Sequence, residues 1–573
     1  MSLSEFTPEN LRQNRDTWLG YLENADIWNS IPLLNVNEPH NFKHESPVRF
    51  RGMVQDMRSP EFYLEEFESV NLDTNEKTPR YAKYADDFVL KENEKVEFER
   101  EDFKKAERQS YVVISTPGLN SWVQIYEEQM EKINPIPVEE VKSVKRAVED
   151  EEMETEPIEI KPQTSKKQCT QENQPSISSE VKNSIVLREH SKSFPLPERS
   201  GKKCQIILYD NYDELKLNDL VELVGFLSFN PASQACIEEE DESKFGVHQP
   251  PVSIVPRIHC VKYKKVIHNN PLIKDEVLPT ERMQFLKKEL MIVLTQLLLG
   301  DTLAAEYLIC NLVSEVYLRK DMLALGKFCL NISNVPQFEN IDYVKTLYEF
   351  IEMLVPKSHY FPMTLENMNN LPFVPKKDYG TDNLNSGILQ LSSNTHLVLD
   401  ETKLSPGKLN TSGVNNLRAL ALSIKNQKIA YDFQYYPVEY NCDIPFLILS
   451  EGKSMLTPDC LLKLKPEASC ISTFEEILQA AKHFLKPDLL NELRIYLTLA
   501  RHTKYEINDD IQNLVQQEFV NMRQNENGVT ADDLHNLLVL ARLVCISEGK
   551  NTLDDSCWKK ACEMEQERKI RIT

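Results

Sequence analysis

The stretch from about residue 134 to residue 198 constrains this chain more than any other feature. It has no apolar periodicity, and seven of the residues between Glu149 and Glu159 are acidic. A segment with so little surface to bury does not recover the entropy of ordering itself, so it is expected to be a disordered acidic linker. Runs of strand character flank it, at 48–55, 62–67 and 111–115 on one side and at 204–209, 219–229 and 258–266 on the other. Gly225 lies within one of them, where a curved strand would bend.

Short strands on either side of one insertion predict a split OB-like barrel, built from residues 47–133 and 199–268. Before it, residues 1–46 read as an N-terminal helical segment in which 7–30 is amphipathic, with Trp18, Tyr21 and Trp28 as core. Barrels of this kind often hold single strands with aromatics and a basic groove. Arg257, His259, Lys262, Lys264 and Lys265 would supply one, and Glu238-Glu239-Glu240-Asp241-Glu242 in the same domain would oppose it. The chain sets 89 acidic residues against 66 basic ones, a net charge of −23, which repels a phosphate backbone. Direct nucleic-acid binding is therefore not expected, and a single-strand DNA-binding replication factor stands as the alternative. An acidic chain suits basic, DNA-binding partners.

From 269 to 485 the pattern is α/β, with strands at 327–332, 395–399 and 445–450, and residues 486–573 complete it as a C-terminal helical lid. Within it, Gly300-Asp301-Thr302-Leu303-Ala304-Ala305-Glu306-Tyr307 stands where a phosphate-binding loop would stand. Such a loop needs glycines so that backbone N–H groups wrap the phosphates, a lysine for the terminal phosphates and a hydroxyl for Mg²⁺. Here Leu303 replaces the second glycine, Glu306 the lysine and Tyr307 the hydroxyl. A carboxylate facing a polyphosphate repels it. A plain helical hairpin competes with this reading, because 286–299 and 303–317 both have helical periodicity around a Gly-Asp turn, and the residues before Gly300 do not read as a strand.

Further on, an apolar run from Thr395 ends in Asp400-Glu401, the pattern that places a Mg²⁺-binding and a water-activating carboxylate at a strand tip. A divergent ATPase would rest on these two residues, which also fit a buried acidic turn capping backbone N–H groups. Glu451-Gly452-Lys453-Ser454 lacks the loop between two glycines and reads as a turn.

These segments resemble the minichromosome maintenance (MCM) ATPases, whose phosphate loop reads Gly-Asp-Pro-Gly-Thr-Ala-Lys-Ser. The runs from Leu493 to Arg501, Phe519 to Gln524 and Val529 to Leu534 resemble their helical lid in order and spacing. The third normally carries the sensor arginine, and this chain has Asp532 there. No arginine occurs between Arg418 and Arg494, where the resemblance would put an arginine finger. Charges that stabilise phosphoryl transfer are thus absent or inverted at three places. As a whole the chain resembles the MCM complex-binding protein family, through Val48-Arg49-Phe50-Arg51-Gly52-Met53-Val54-Gln55-Asp56-Met57, Thr364-Leu365-Glu366-Asn367-Met368-Asn369, Lys376-Lys377-Asp378-Tyr379, Leu389-Gln390-Leu391-Ser392-Ser393-Asn394-Thr395 and Thr530-Ala531-Asp532-Asp533-Leu534-His535. The resemblance implies an MCM-like layout, a split OB-like barrel followed by a degenerate AAA+-like α/β domain with a C-terminal helical lid. It also implies a non-catalytic protein without cofactor or metal. Such a protein would bind MCM helicase subunits, meet chromatin only indirectly, and regulate assembly, supply or unloading of the helicase in the nucleus.

Twelve cysteines occur without a Cys-x-x-Cys pair, Cys557 and Cys562 being the closest, and read as reduced thiols. The N-terminus has no signal-peptide pattern and no run is long enough to span a bilayer, so no membrane association is expected. Lys142, Lys145 and Arg146, followed by Lys166 and Lys167, are candidates for a nuclear import signal in the linker.

Overall fold

A computed structural model describes residues 3–85, 94–96, 104–133, 191–199, 201–210, 214–228, 255–273, 277–320, 323–525 and 530–572. Most of the acidic linker, the five import candidates and Glu238 to Glu242 lie outside the described residues. Strands β1 (Ser46–Met57), β2 (Glu61–Asn71), β3 (Lys77–Tyr81), β4 (Glu94–Val96) and β5 (Lys104–Ile114) precede the linker, and β6 (Lys203–Leu208), β7 (Leu220–Ser228) and β8 (Arg257–Lys265) follow it. The two groups share one sheet. Its ladders run β1–β7–β8–β6–β5, and β5 pairs back with β1, so five strands close into a ring while β2, β3 and β4 extend from β5. At Gly225 the β7–β8 register shifts, and a Cβ there would lie 2.3 Å from the His259 carbonyl oxygen, so only glycine lets the two backbones come this close.

Alternation along β1 sends Val48 and Phe50 into the ring and Arg49 and Arg51 outward. The two arginines share Glu222, at 2.8 and 2.7 Å, and reach Glu131 and Glu127 of α4 (Ser121–Ile133) at 3.2 and 2.6 Å. The N-terminal segment forms three short helices, at Pro8–Gln13, Arg15–Tyr21 and Ala25–Ser30, which are α1 to α3. Trp18 and Trp28 are buried against Val224 and Phe226 of β7, with Tyr21 partly buried at the margin.

The C-terminal part begins with a helical hairpin, α5 (Thr280–Leu297) and α6 (Thr302–Leu312), and a small ribbon of β9 (Leu318–Lys320) and β10 (Leu323–Leu325). Strands β11 (Leu330–Ser333), β12 (Ser358–Pro362), β15 (His396–Asp400), β18 (Phe446–Leu449) and β19 (Cys460–Lys463) then make a wholly parallel sheet in the order β12–β15–β18–β11–β19. Two hairpins, β13 (Lys376–Asp378) with β14 (Asn383–Asn385) and β16 (Lys428–Asp432) with β17 (Pro437–Asn441), form a separate four-stranded sheet. Both faces of the parallel sheet are covered, which is why its strands are continuously apolar. Val398 of β15 points to one core and Leu397 and Leu399 to the other. Helices α7 (Tyr343–Leu354), α8 (Leu365–Asn370), α9 (Thr411–Asn426), α10 (Ala468–Ser472) and α11 (Phe474–Phe484) belong to this sheet. The C-terminal helices are α12 (Pro487–Arg501), α13 (Asp509–Asn525), α14 (Ala531–Ser547) and α15 (Asp555–Ile572).

The ring meets the four-stranded sheet, through β13, β14 and the loop that follows them, along a buried polar seam. The Gln55 amide donates to Leu384 O at 2.6 Å, Gln390 donates to Gln55 O at 2.9 Å, and Asp56 accepts from Leu384 N at 2.8 Å with Lys377 at 3.7 Å. Three of the strings that carry the family resemblance therefore converge here. One expected boundary moves. Residues 193–196, assigned to the linker, are packed instead: Phe194 is buried against Met53 and Val112, and Leu196 enters the core of the parallel sheet. Two apolar side chains set among prolines give this short stretch enough buried surface to be held.

Candidate functional site

The two halves of the expected nucleotide site fall in different places. Gly300-Asp301 is the turn between α5 and α6 rather than the exit of a strand, so the hairpin reading holds and the phosphate-loop reading of this segment does not. Gly300 has φ 88°, the left-handed conformation that ends a helix, and its N–H donates to Thr295 O at 2.8 Å. Asp301 caps α6, accepting from Ala304 N at 3.1 Å, and pairs with Arg571 at 2.6 Å. Leu303 and Tyr307 face the core, Tyr307 stacked over Phe328. Glu306 meets Lys560 at 2.6 Å and Lys287 at 3.3 Å, and Glu548 lies 3.6 Å from Lys560 and 3.7 Å from Lys287. The carboxylate expected to repel phosphate is one of a compensated quartet that ties the hairpin to α14 and α15.

In a parallel sheet, ligands sit beyond the carboxyl ends of the strands, where consecutive connections leave in opposite directions. β11 is such a strand, since the chain passes from it to β12 at the far edge and later returns to β19 on its other side. The loop 334–342 leads from β11 into α7 with no glycine and no lysine. Asp342 is the N-cap of α7 and accepts from Lys345 N at 3.3 Å, so the helix end that would favour a phosphate already holds a carboxylate. Phe338 in the same loop stacks on Tyr343 and Phe474, with centroids 5.6 and 5.0 Å apart.

Asp400 and Glu401 do arrive at the carboxyl end of β15, but both oxygens of Asp400 and Oε1 of Glu401 already accept hydrogen bonds from the chain. Asp400 accepts from Tyr360 Oη at 2.6 Å, Thr402 N at 2.9 Å and Thr402 Oγ1 at 2.6 Å. Glu401 accepts from Ser454 Oγ at 2.8 Å and Met455 N at 3.3 Å, and burial raises its pKa against the pull of these bonds. The Gly452-Lys453-Ser454 turn thus serves as a lid for Glu401. Glu451, hydrogen-bonded by Gln337, adds a further carboxylate, and Lys403 is paired with Asp342 at 2.7 Å.

The C-terminal helices approach from the other end. Arg501 hydrogen-bonds Leu312 O and His396, the first residue of β15, roughly 13 Å of strand away from Asp400. Arg494 donates to Met353 O at 2.8 Å and lies 4.0 Å over the Trp122 ring. Asp532 stands exposed in the first turn of α14, next to the Thr530–Asp533 capping box, where a negative charge favours the helix start. It forms no ion pair with the crevice among the described residues.

The basic residues of β8 do not form a cationic groove either: Lys262 lines a cavity, but Glu23, Asp210 and Glu214 line it too. Arg257 and His259 are buried, and Tyr209 Oη lies 2.7 Å from His259 Nδ1. Lys262 pairs with Glu23, Lys264 sits 4.2 Å over the Trp28 ring, and Lys265 pairs with Asp219 at 2.8 Å. Sequence reading missed the loop 334–342 although its signal was present: an apolar run, Pro336, and Asp342 before an amphipathic helix make a strand–loop–helix unit. Among the described residues no group of three or more His, Cys, Asp or Glu is placed to hold a metal ion. The ten described cysteines are free, nine of them buried.

These features define a mixed α/β protein with several sheets, in whose most nucleotide-like crevice Asp342, Asp400 and Glu401 are hydrogen-bonded within the chain. Its sequence matches the family described as Mini-chromosome maintenance replisome factor over residues 18–572, and the chain belongs to that family. Relatives named Mini-chromosome maintenance complex-binding protein include those of Drosophila melanogaster, Gallus gallus and Homo sapiens. They are 38%, 36% and 36% identical, over 96%, 100% and 99% of this chain and 94%, 93% and 93% of their own. Those names describe binding to a complex rather than a reaction.

Proposed function

We propose that this chain is a non-catalytic partner of MCM helicase subunits that regulates DNA replication by controlling assembly, supply or unloading of their complex. Family membership supports the partner, and one geometric observation supports the absence of catalysis: the crevice beyond β11 holds Phe338, Asp342, Asp400 and Glu401, each already engaged by its own chain. The five-stranded ring and the order of the parallel sheet support reading the two units as an OB-like module joined to a degenerate AAA+-like module. A protein with subunit-like surfaces and no phosphate cradle would occupy a place beside helicase subunits without hydrolysing nucleotide. Its site of action is the nucleus, with chromatin reached through the helicase, and the import signal is assigned to Lys142, Lys145, Arg146, Lys166 and Lys167. Changing those five to Ala and imaging the tagged protein tests that assignment, and retained nuclear signal counts against it. For the main reading, the purified chain is titrated with purified MCM subunits and, separately, with Mg-ATP. Saturable subunit binding without ATP binding at micromolar concentration is expected, and ATP binding with turnover overturns the non-catalytic reading.

A further inference from the structure

Two hairpin turns bring exposed aromatic rings together at one end of the four-stranded sheet. Tyr379 lies in the turn from β13 to β14, and Tyr435 and Tyr436 in the turn from β16 to β17; they are 47%, 83% and 57% exposed. Because β13 pairs with β16, the two turns are neighbours. The Tyr379 and Tyr435 rings are 5.8 Å apart, and Phe433 stacks on Tyr436 at 6.0 Å. Tyr379 Oη donates to Phe433 O at 3.3 Å, and the Gln434 amide donates to Lys377 O at 3.2 Å. Single exposed tyrosines need no explanation, but three clustered on cross-braced turns, none of them in the core, mark a contact surface.

The surrounding charge indicates what that surface receives. Asp378, Asp382 and Asp432 frame the rings, and the nearby lysines are committed: Lys376 to Asp432 at 3.4 Å, and Lys377 to Asp56 and Asp382 at 3.7 and 3.0 Å. Asp378 accepts the Gly380 N–H at 2.9 Å and has no ion pair among the described residues. Aromatic faces beside an uncompensated carboxylate attract guanidinium or ammonium groups and repel phosphate. We infer that the paired turns are a docking surface for an arginine- or lysine-bearing segment of the partner protein, an inference that rests on the proposed binding of MCM subunits. The rings supply faces for the cationic side chains and Asp378 supplies the counter-charge.

The test uses the full chain and purified MCM subunits. Converting Tyr379, Tyr435 and Tyr436 together to Ala is expected to weaken binding about tenfold or more with an unchanged circular dichroism spectrum and melting temperature. Converting all three to Phe keeps the rings and is expected to keep affinity within about twofold. Asp378→Lys is expected to weaken binding most at low salt. If the triple Ala variant fails to fold, Tyr435→Ala, which removes the most exposed ring, carries the same comparison. Undiminished binding by the Ala variants overturns the inference while leaving the partner reading intact, and so does binding of a single-stranded oligonucleotide that these variants abolish. A wild-type chain that binds no subunit overturns the partner reading, and the docking surface with it.

Discussion

The turn at 300–307 and the loop at 334–342 present opposite combinations of sequence and topology. The first has the right first residues, Gly300-Asp301, but follows a helix; the second follows the parallel strand β11 and has neither glycine nor lysine. A phosphate cradle needs both conditions at once, because the N–H groups that wrap phosphate are those freed where a strand ends and a helix begins. Each region has turned its polar residues to other ends. At the turn, Glu306 and Glu548 neutralise Lys287 and Lys560; in the crevice, Asp342, Asp400 and Glu401 cap backbone and hydroxyl groups. A carboxylate in the expected position therefore says little about chemistry until its lone pairs are accounted for.

Glu306→Lys tests that contrast hardest. It would set a third ammonium group between Lys287 and Lys560, and a loss of about 3–5 kcal/mol of stability is expected, with no gain in Mg-ATP binding. A normal melting temperature together with ATP binding would return the nucleotide site to the turn.

Acid titration separates the regions by sign. Burial would raise the Glu548 carboxyl, but Lys287 and Lys560 outweigh it and hold the pKa below the ordinary 4.5. Its contribution is present above pH 4.5 and lost as pH falls through the lower folded value. Glu401 is shifted the other way by burial, so the folded state favours its proton and its contribution declines as pH rises past 4.5. In urea unfolding across pH, Glu548→Gln is expected to flatten the acid limb, whereas Glu401→Gln is expected to leave neutral stability unchanged or slightly higher. A strong loss at pH 7 from Glu401→Gln would show that its charge is used.

Smaller effects follow within the crevice. Asp400→Ala is expected to cost about 1–2 kcal/mol, since Tyr360 Oη and Thr402 lose their acceptor, while subunit affinity stays unchanged. Asp342→Ala removes the α7 cap and is expected to cost about 1 kcal/mol. Either variant weakening subunit binding with its fold intact would make the crevice an interface.

The smallest effect is expected from replacing residues 147–190 with a short Gly/Ser connector, because loop length enters closure entropy only logarithmically. Extending the replacement through Leu196 should lower the melting temperature, since Phe194 and Leu196 bridge the ring and the parallel sheet.

By itself the sequence determined the elements. Runs of strand character placed all six strand signals of the N-terminal half, continuous apolar runs the strands at 395–399 and 445–450, and helical amphipathicity the burial of Trp18 and Trp28, because local patterning and side-chain type decide which face is hidden. It also determined the family, through strings whose irregularity has a physical source: Gln55, Asp56, Lys377 and Gln390 are fixed by one another across the seam. What those residues do depends on the packing of distant segments. The order of the parallel strands moved the ligand crevice to 334–342, and the approach of α12 from the amino end of β15 spent Arg494 and Arg501 far from Asp400. Pairing of the β8 lysines with Glu23, Trp28 and Asp219 compensated the basic stripe their sequence suggested. Such outcomes depend on which distant side chain arrives within hydrogen-bonding reach, and spacing along the chain carries no record of that distance.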